Sequence, residues 1–117
     1  MQWQSRWDDD VFIVELSGKL MGGPEVDTFH DLVRDAVKKG SGAVVIDMSG
    51  VDWLNSWGVG LLVSAYTTMR NVNGLLILVA CGPKVSSVLH MTRFDTVFTF
   101  APDVPAALKT ARTADKG

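Results

Sequence analysis

The sequence has 117 residues, enough for one domain and too few for two. With 47% hydrophobic residues against 21% charged, the chain can bury a core, which excludes an intrinsically disordered protein. A formal net charge of -2, with lysines and arginines dispersed among acidic residues, provides no basic face and argues against nucleic-acid binding.

Trp3 to Trp7 alternates large apolar with polar residues, the period of a half-exposed strand. Asp8-Asp9-Asp10 reads as a solvated turn, without the ligand spacing or closing Glu of a calcium loop. Val11 to Leu16 is a nearly continuous apolar run and predicts a buried strand antiparallel to the first. Gly18 to Pro24 reads as a loop, with Pro24 suited to a helix start. From Glu25 to Lys39, Val26, Phe29, Val33, Ala36 and Val37 fall on one helical stripe. Acidic residues open that segment and lysines close it, as the helix dipole favours, and Gly40 follows as a C-terminal cap.

Ala43 to Met48 predicts a second buried strand, Ser49 to Asn55 a loop, and Ser56 to Asn71 a helix carrying Val59, Leu62, Val63, Tyr66 and Met69 on one face. Leu75 to Ala80 is the clearest core strand. Pro83 opens a short helix bearing Val85, Val88 and Leu89, Thr96 to Phe100 predicts an edge strand, and Asp103 to about Thr113 a final helix. Continuous apolar strands separated by amphipathic helices indicate an α/β fold. The expected architecture is one domain over residues 1–113 with a tail at 114–117. Its sheet is mixed and mostly parallel, with about five strands, an antiparallel N-terminal edge strand and about four helices.

The segment Met1 to Asp8 lacks the apolar region of a signal peptide, and the run Leu75 to Cys81 is too short to span a bilayer. Cys81 is the single cysteine, so no intramolecular disulfide can form. A cytoplasmic protein without a membrane partner is expected. No catalytic group set is visible, and no enzyme activity, cofactor or metal is expected. His30 and His90 stand outside any metal-ligand spacing and read as solvated or capping residues. Neither Gly22-Gly23 nor Gly58-Val59-Gly60 has the spacing of a phosphate-binding loop. Asp47, acidic within an apolar strand, reads as hydrogen-bonded to a neighbouring loop around Asn55, and Cys81 as a small buried thiol.

The stretch VVIDMSGVDWLNSWGVG, Val44 to Gly60, resembles the signature of the STAS domain, in which Asp/Asn-Ser-Ser/Thr-Gly opens a helix after a buried strand. Gly18-Lys19-Leu20, Gly74 with LLILVA, and PKVSSVLHMTRFDTVF from Pro83 extend the resemblance over nearly the whole chain. The resemblance implies an anti-sigma factor antagonist, which binds an anti-sigma factor with serine kinase activity and is released by phosphorylation. It puts the phosphorylated serine at Ser56, Asn55 at the neighbouring Asp/Asn position and Gly58 at the glycine. It also implies a partner surface formed by Met21, Gly22, Gly23, Asn55, Ser56, Trp57 and Gly58. Two positions depart from the pattern. Trp57 stands where a small hydroxyl residue is usual, and Met21 where many members carry Asp.

Read from the residues alone, Ser56 is an N-cap, a role compatible with a switch. Trp57 reads either as an anchor for a partner or as a residue packed under the loop, and Trp53 as core. Met21, Gly22 and Gly23 shape either a recognition loop or a tight turn that uses glycine's freedom. Two other functions stay open: a scaffold of a sensory complex without phosphorylation, and a sensor of a nucleotide or other small ligand.

Overall fold

A computed structural model describes residues 1–115. Strand β1 (Gln2–Asp8) pairs antiparallel with β2 (Val11–Leu20) through a turn in which Asp9 takes a left-handed conformation. The chain then runs through α1 (Glu25–Lys38), β3 (Ala43–Leu54), α2 (Ser56–Arg70), β4 (Leu75–Val79), α3 (Pro83–Met91), a short 3-10 turn at Phe94–Thr96, β5 (Thr99–Ala101) and α4 (Val104–Asp115). The sheet order is β1-β2-β3-β4-β5, and every pair after the first is parallel. The expected α/β architecture of five strands and four helices is thus the observed one.

Parallel neighbours taken in sequence order need crossovers of one hand, so the three crossover helices fall on one face of the sheet. Phe29 and Val33 of α1, Leu62 and Met69 of α2, and Val85 and Leu89 of α3 accordingly pack with Phe12, Val14, Leu16, Val44, Ile46 and Leu78. The opposite face is covered by α4 alone, whose Ala107 and Ala111 rest on Val11, Ile13, Val45 and Ile77. Strand alternation separates the two sets.

Several boundaries differ from expectation. β2 continues through Gly18 to Leu20, and β3 through the expected loop to Leu54, because these segments pair with each other and satisfy their backbone groups. The extension is irregular: β3 holds an extra residue opposite Glu15–Ser17 and another opposite Gly18–Lys19. Gly50 sits at the first bulge, where a Cβ would lie 2.9 Å from the Leu16 carbonyl oxygen. The last strand is shorter than expected and starts later, since Phe94–Thr96 winds into the 3-10 turn and Phe98 turns into the core. α4 enters the expected tail and reaches Asp115, while residues 116–117 lie outside the described part.

Candidate functional site

The carboxyl ends of β2 and β3 and the first turn of α2 meet at one end of the molecule. β3 ends at the buried Leu54, and Asn55 leaves it in an extended conformation. The Asn55 N–H donates to the Leu20 carbonyl at 3.3 Å, which ties the two strand ends together. Its side-chain Oδ1 accepts from the Gly58 N–H at 3.0 Å, satisfying one of the free donors of the helix start. Asn55 therefore caps α2, and the expectation that Ser56 is the N-cap is corrected: Ser56 is the first helical residue. The reason is geometric. A cap must keep extended dihedrals while its side chain turns back to the helix, and Asn55 does both. The Ser56 hydroxyl is spared that task, and the residue is exposed.

Gly58 is buried, and a Cβ there would lie 2.1 Å from the Leu20 carbonyl oxygen and 2.7 Å from Leu54 Cδ1. The glycine is what lets the helix start so close to the end of β2. The loop after β2 then folds back over the helix. Gly22 and Gly23 both have positive φ, and a Cβ on Gly22 would come within 2.7 Å of Trp57 Cβ. Tight turn and recognition loop thus coexist as readings, since the conformation that needs glycine also lays the loop against Trp57. Met21, Gly22, Gly23, Asn55, Ser56, Trp57 and Gly58 form one neighbourhood around the end of β2.

Trp53 corrects the expectation of a core residue, and Trp57 departs from one of its two readings, a residue packed under the loop. Trp57 is 75% exposed and Trp53 49% exposed, so neither is a core residue. Trp57 points away because the inward positions of the first helical turns are already held by Gly58, Val59 and Leu62. Trp53 is turned out by the second bulge of β3, after which Leu54 rather than Trp53 faces the core. With Met21, 51% exposed, they put exposed apolar side chains at the ends of β2 and β3 and on the first turn of α2, the turn that also carries Ser56. Exposed apolar groups concentrated at one place mark an interaction site more often than scattered ones do.

Sequence reasoning missed a neighbouring feature. A cleft of about 400 Å³ lies between Trp53 and Leu54 on one side and Pro83, Lys84, Ser87 and Val88 on the other. It forms only when the bulged β3 is laid beside α3, a contact between segments thirty residues apart that no local pattern records.

The remaining candidate groups lie elsewhere. Asp47 Oδ1 accepts from the Ser49 N–H at 2.9 Å, so its partner is the adjacent bulge and not the Asn55 region. His30 is half-buried between α1 and α2, with its ring nitrogens 3.1 Å from Ser64 Oγ and 3.4 Å from Thr68 Oγ1; it bridges two helices, which corrects the solvated or capping role. His90 is exposed and pairs with Asp95 at 2.8 Å. Cys81 is half-buried, and desolvation, with a further push from the Asp47 charge, raises its thiol to about 11. Among the described residues, no group of three or more His, Cys, Asp or Glu is placed to hold a metal ion, and no helix is long and apolar enough to cross a membrane.

Comparison with known proteins gives a consistent set of relatives. The family model described as STAS domain matches residues 2–107. BtrV of Bordetella bronchiseptica, named as an anti-sigma factor antagonist, is 31% identical over 106 residues, covering 91% of this chain and 90% of its own. An anti-sigma factor antagonist from Mycobacterium paratuberculosis superposes with a TM-score of 0.80 at 27% identity, over 95% of this chain and 93% of its own. The Bacillus cell-fate determinant SpoIIAA in its phosphorylated form superposes at 0.72 with 18% identity, over 93% and 99%, a likeness of fold.

Proposed function

The chain belongs to the STAS domain family, and from that premise we propose that it is an anti-sigma factor antagonist whose binding to its partner is switched by phosphorylation of Ser56. In this reading the protein is cytoplasmic, its partner is an anti-sigma factor with serine kinase activity, and the module acts by binding, without catalysis of its own. The observation that carries the reading is the exposed Ser56 at the first position of α2, relieved of capping by Asn55 and set among Met21, Trp53 and Trp57.

The physical logic has two halves. A phosphoryl group adds about -1.5 to -2 charges. At a helix N-terminus the unpaired N–H groups and the dipole favour that charge by about 0.3–1 kcal/mol, so the fold tolerates it. An apolar partner surface does not. Closing tryptophans and a methionine against a partner would bury the phosphate without a counter-charge, at a cost of several kcal/mol, and each ~1.4 kcal/mol is tenfold in affinity. The existence of SpoIIAA as a phosphorylated form supports a modified state for a fold of this kind.

The test is Ser56→Asp in a binding titration against the anti-sigma factor recovered from the native host. Affinity should fall at least about tenfold, with an unchanged circular dichroism spectrum. Undiminished binding by the variant removes the switch. A second reading, a constitutive scaffold without phosphorylation, is favoured by Trp57 and Met21, which stand where a small hydroxyl residue and an Asp would be usual. Intact-mass measurement on protein from the native host separates the two.

A further inference from the structure

The two edges of the sheet are unlike. β5 has three residues and is followed at once by Pro102, so it offers little to pair with. β1 has seven residues, QWQSRWD, in unbroken register with β2 from Gln2↔Ser17 to Asp8↔Val11. It contains no proline, no lysine and no bulge, devices by which edge strands avoid pairing, and its two charges are both paired within the chain, Arg6 with Glu15 and Asp8 with Arg112. Five of its seven residues are exposed. The outward N–H and C=O groups of such a strand specify an extended partner.

The side chains specify which one. The sequence of β1 is nearly symmetric about Ser5, with Trp3 and Trp7 two places either side. Their rings lie on the face of α1 and α2: Trp3 packs edge-on to Phe29 at 6.2 Å and Trp7 against Phe12 at 5.0 Å. Gln2, Gln4 and Arg6 lie on the α4 face. There Gln4 is level with Glu15, and Glu15 with Asp47, so one row of the sheet carries two adjacent carboxylates. This row floors a cleft of about 630 Å³ that α4 leaves uncovered. Arg6 bonds Glu15 from the next row, while Asp47 takes its hydrogen bond from the Ser49 N–H.

We propose that two copies of this chain join through antiparallel β1–β1 pairing centred on Ser5, making one continuous sheet of ten strands from two five-stranded ones. In that register Ser5 faces Ser5 of the partner subunit. Trp3 faces Trp7 of the partner subunit, an aromatic cross-strand pair made twice by the two-fold symmetry. Gln4 faces Arg6 of the partner subunit, which thereby enters the row of Gln4, Glu15 and Asp47 and brings a second cation to its two carboxylates. A side chain as long as arginine spans the one intervening strand, since neighbouring strands lie about 4.8 Å apart. Charge complementarity thus selects a second copy over an arbitrary extended peptide. Ser56 and Trp57 lie off β1, so the pairing does not use the surface assigned above to the anti-sigma factor.

The experiment is sedimentation velocity on the full chain over a concentration series, with two variants. Wild type should sediment as a concentration-dependent dimer. Ser5→Lys, which sets two ammonium groups face to face at the axis, should weaken association at least about tenfold with an unchanged circular dichroism spectrum. Ser5→Cys should form a disulfide between copies on mild oxidation, mapped by mass spectrometry to position 5. Directly opposed residues of an antiparallel pair have Cα atoms about 4.5–5.5 Å apart, within disulfide reach. Thr28→Cys, exposed on α1, is the control. A wild-type protein that stays monomeric at millimolar concentration overturns the proposal. So does a dimer indifferent to folded Ser5→Lys, or Ser5→Cys cross-linking no faster than Thr28→Cys. Should Ser5→Lys fail to fold, the cysteine arm decides.

Discussion

Helices α2 and α3 both rise from the carboxyl ends of neighbouring parallel strands, yet their first turns are built differently. α2 begins with an asparagine whose side chain caps the helix, and with a glycine pressed against the Leu20 carbonyl. α3 begins at Gly82, which makes no side-chain cap and around which a Cβ would meet nothing within 4 Å. Around the first lie exposed Met21, Trp53 and Trp57. The second is preceded by a thiol that burial keeps protonated. A helix start is a general electrostatic feature. What distinguishes α2 is the tight packing that fixes its position and the apolar surface that surrounds it.

The largest expected effect breaks the packing half of this contrast. Gly58→Ala places a methyl group against a backbone oxygen that cannot move without dislodging β2, and should cost about 3 kcal/mol in a denaturant titration. The matching change at α3, Gly82→Ala, should stay within about 0.5–1 kcal/mol. If the two cost the same, the close approach of β2 to α2 is not what positions the site.

Next in size is the surface half. Trp57→Ala should weaken anti-sigma factor binding by about 2 kcal/mol, roughly thirtyfold, as removal of an interface anchor does. Stability should hardly change, because the side chain is 75% exposed. Equal losses of binding and of melting temperature would mean that the residue supports the fold instead.

The thiol sharpens the comparison from the α3 side. A cysteine near a helix start ordinarily ionises more readily, but here burial first and the Asp47 charge second raise the thiol from 9.0 to about 11. The folded state therefore prefers the neutral form. That preference is intact below the ordinary thiol value and is lost as the pH rises through about 11. At pH 8 alkylation of Cys81 by iodoacetamide should be at least about tenfold slower in the native protein than in urea. Equal rates would show the thiol to be in contact with water.

The smallest effect is the cap. Asn55→Ala should cost about 1 kcal/mol, read by thermal denaturation, and Ser56→Ala markedly less. A reversal of that order would return the capping role to the serine.

These residues also show what the sequence made legible. Helix and strand types followed from the apolar pattern: Phe29-Val33-Ala36 bury one face at helical spacing, while LLILV is a short unbroken apolar run buried on both faces of the sheet. The meeting of the Met21 loop with the α2 start came from motif resemblance, since the spacing from 21 to 57 means nothing locally. Large aromatics usually go inside, but Trp53 is turned out by a bulge in β3 that leaves no compositional trace, and Trp57 by a first helical turn whose inward positions Gly58, Val59 and Leu62 already hold. The run Ser49–Leu54 looked like a loop because Gly50 and Asp52 have low strand propensity, which the long-range pairing to Ser17–Leu20 overrides.

Adjacent residues at the head of α2 hold separate duties: one secures the helix, the next is left to the outside. Position 56 can therefore be rewritten with little structural penalty, and under the function proposed above variants there would act on recognition and spare the fold. Dwell time on a target could be lengthened or shortened by a single codon, while thermal resistance is set by a different one.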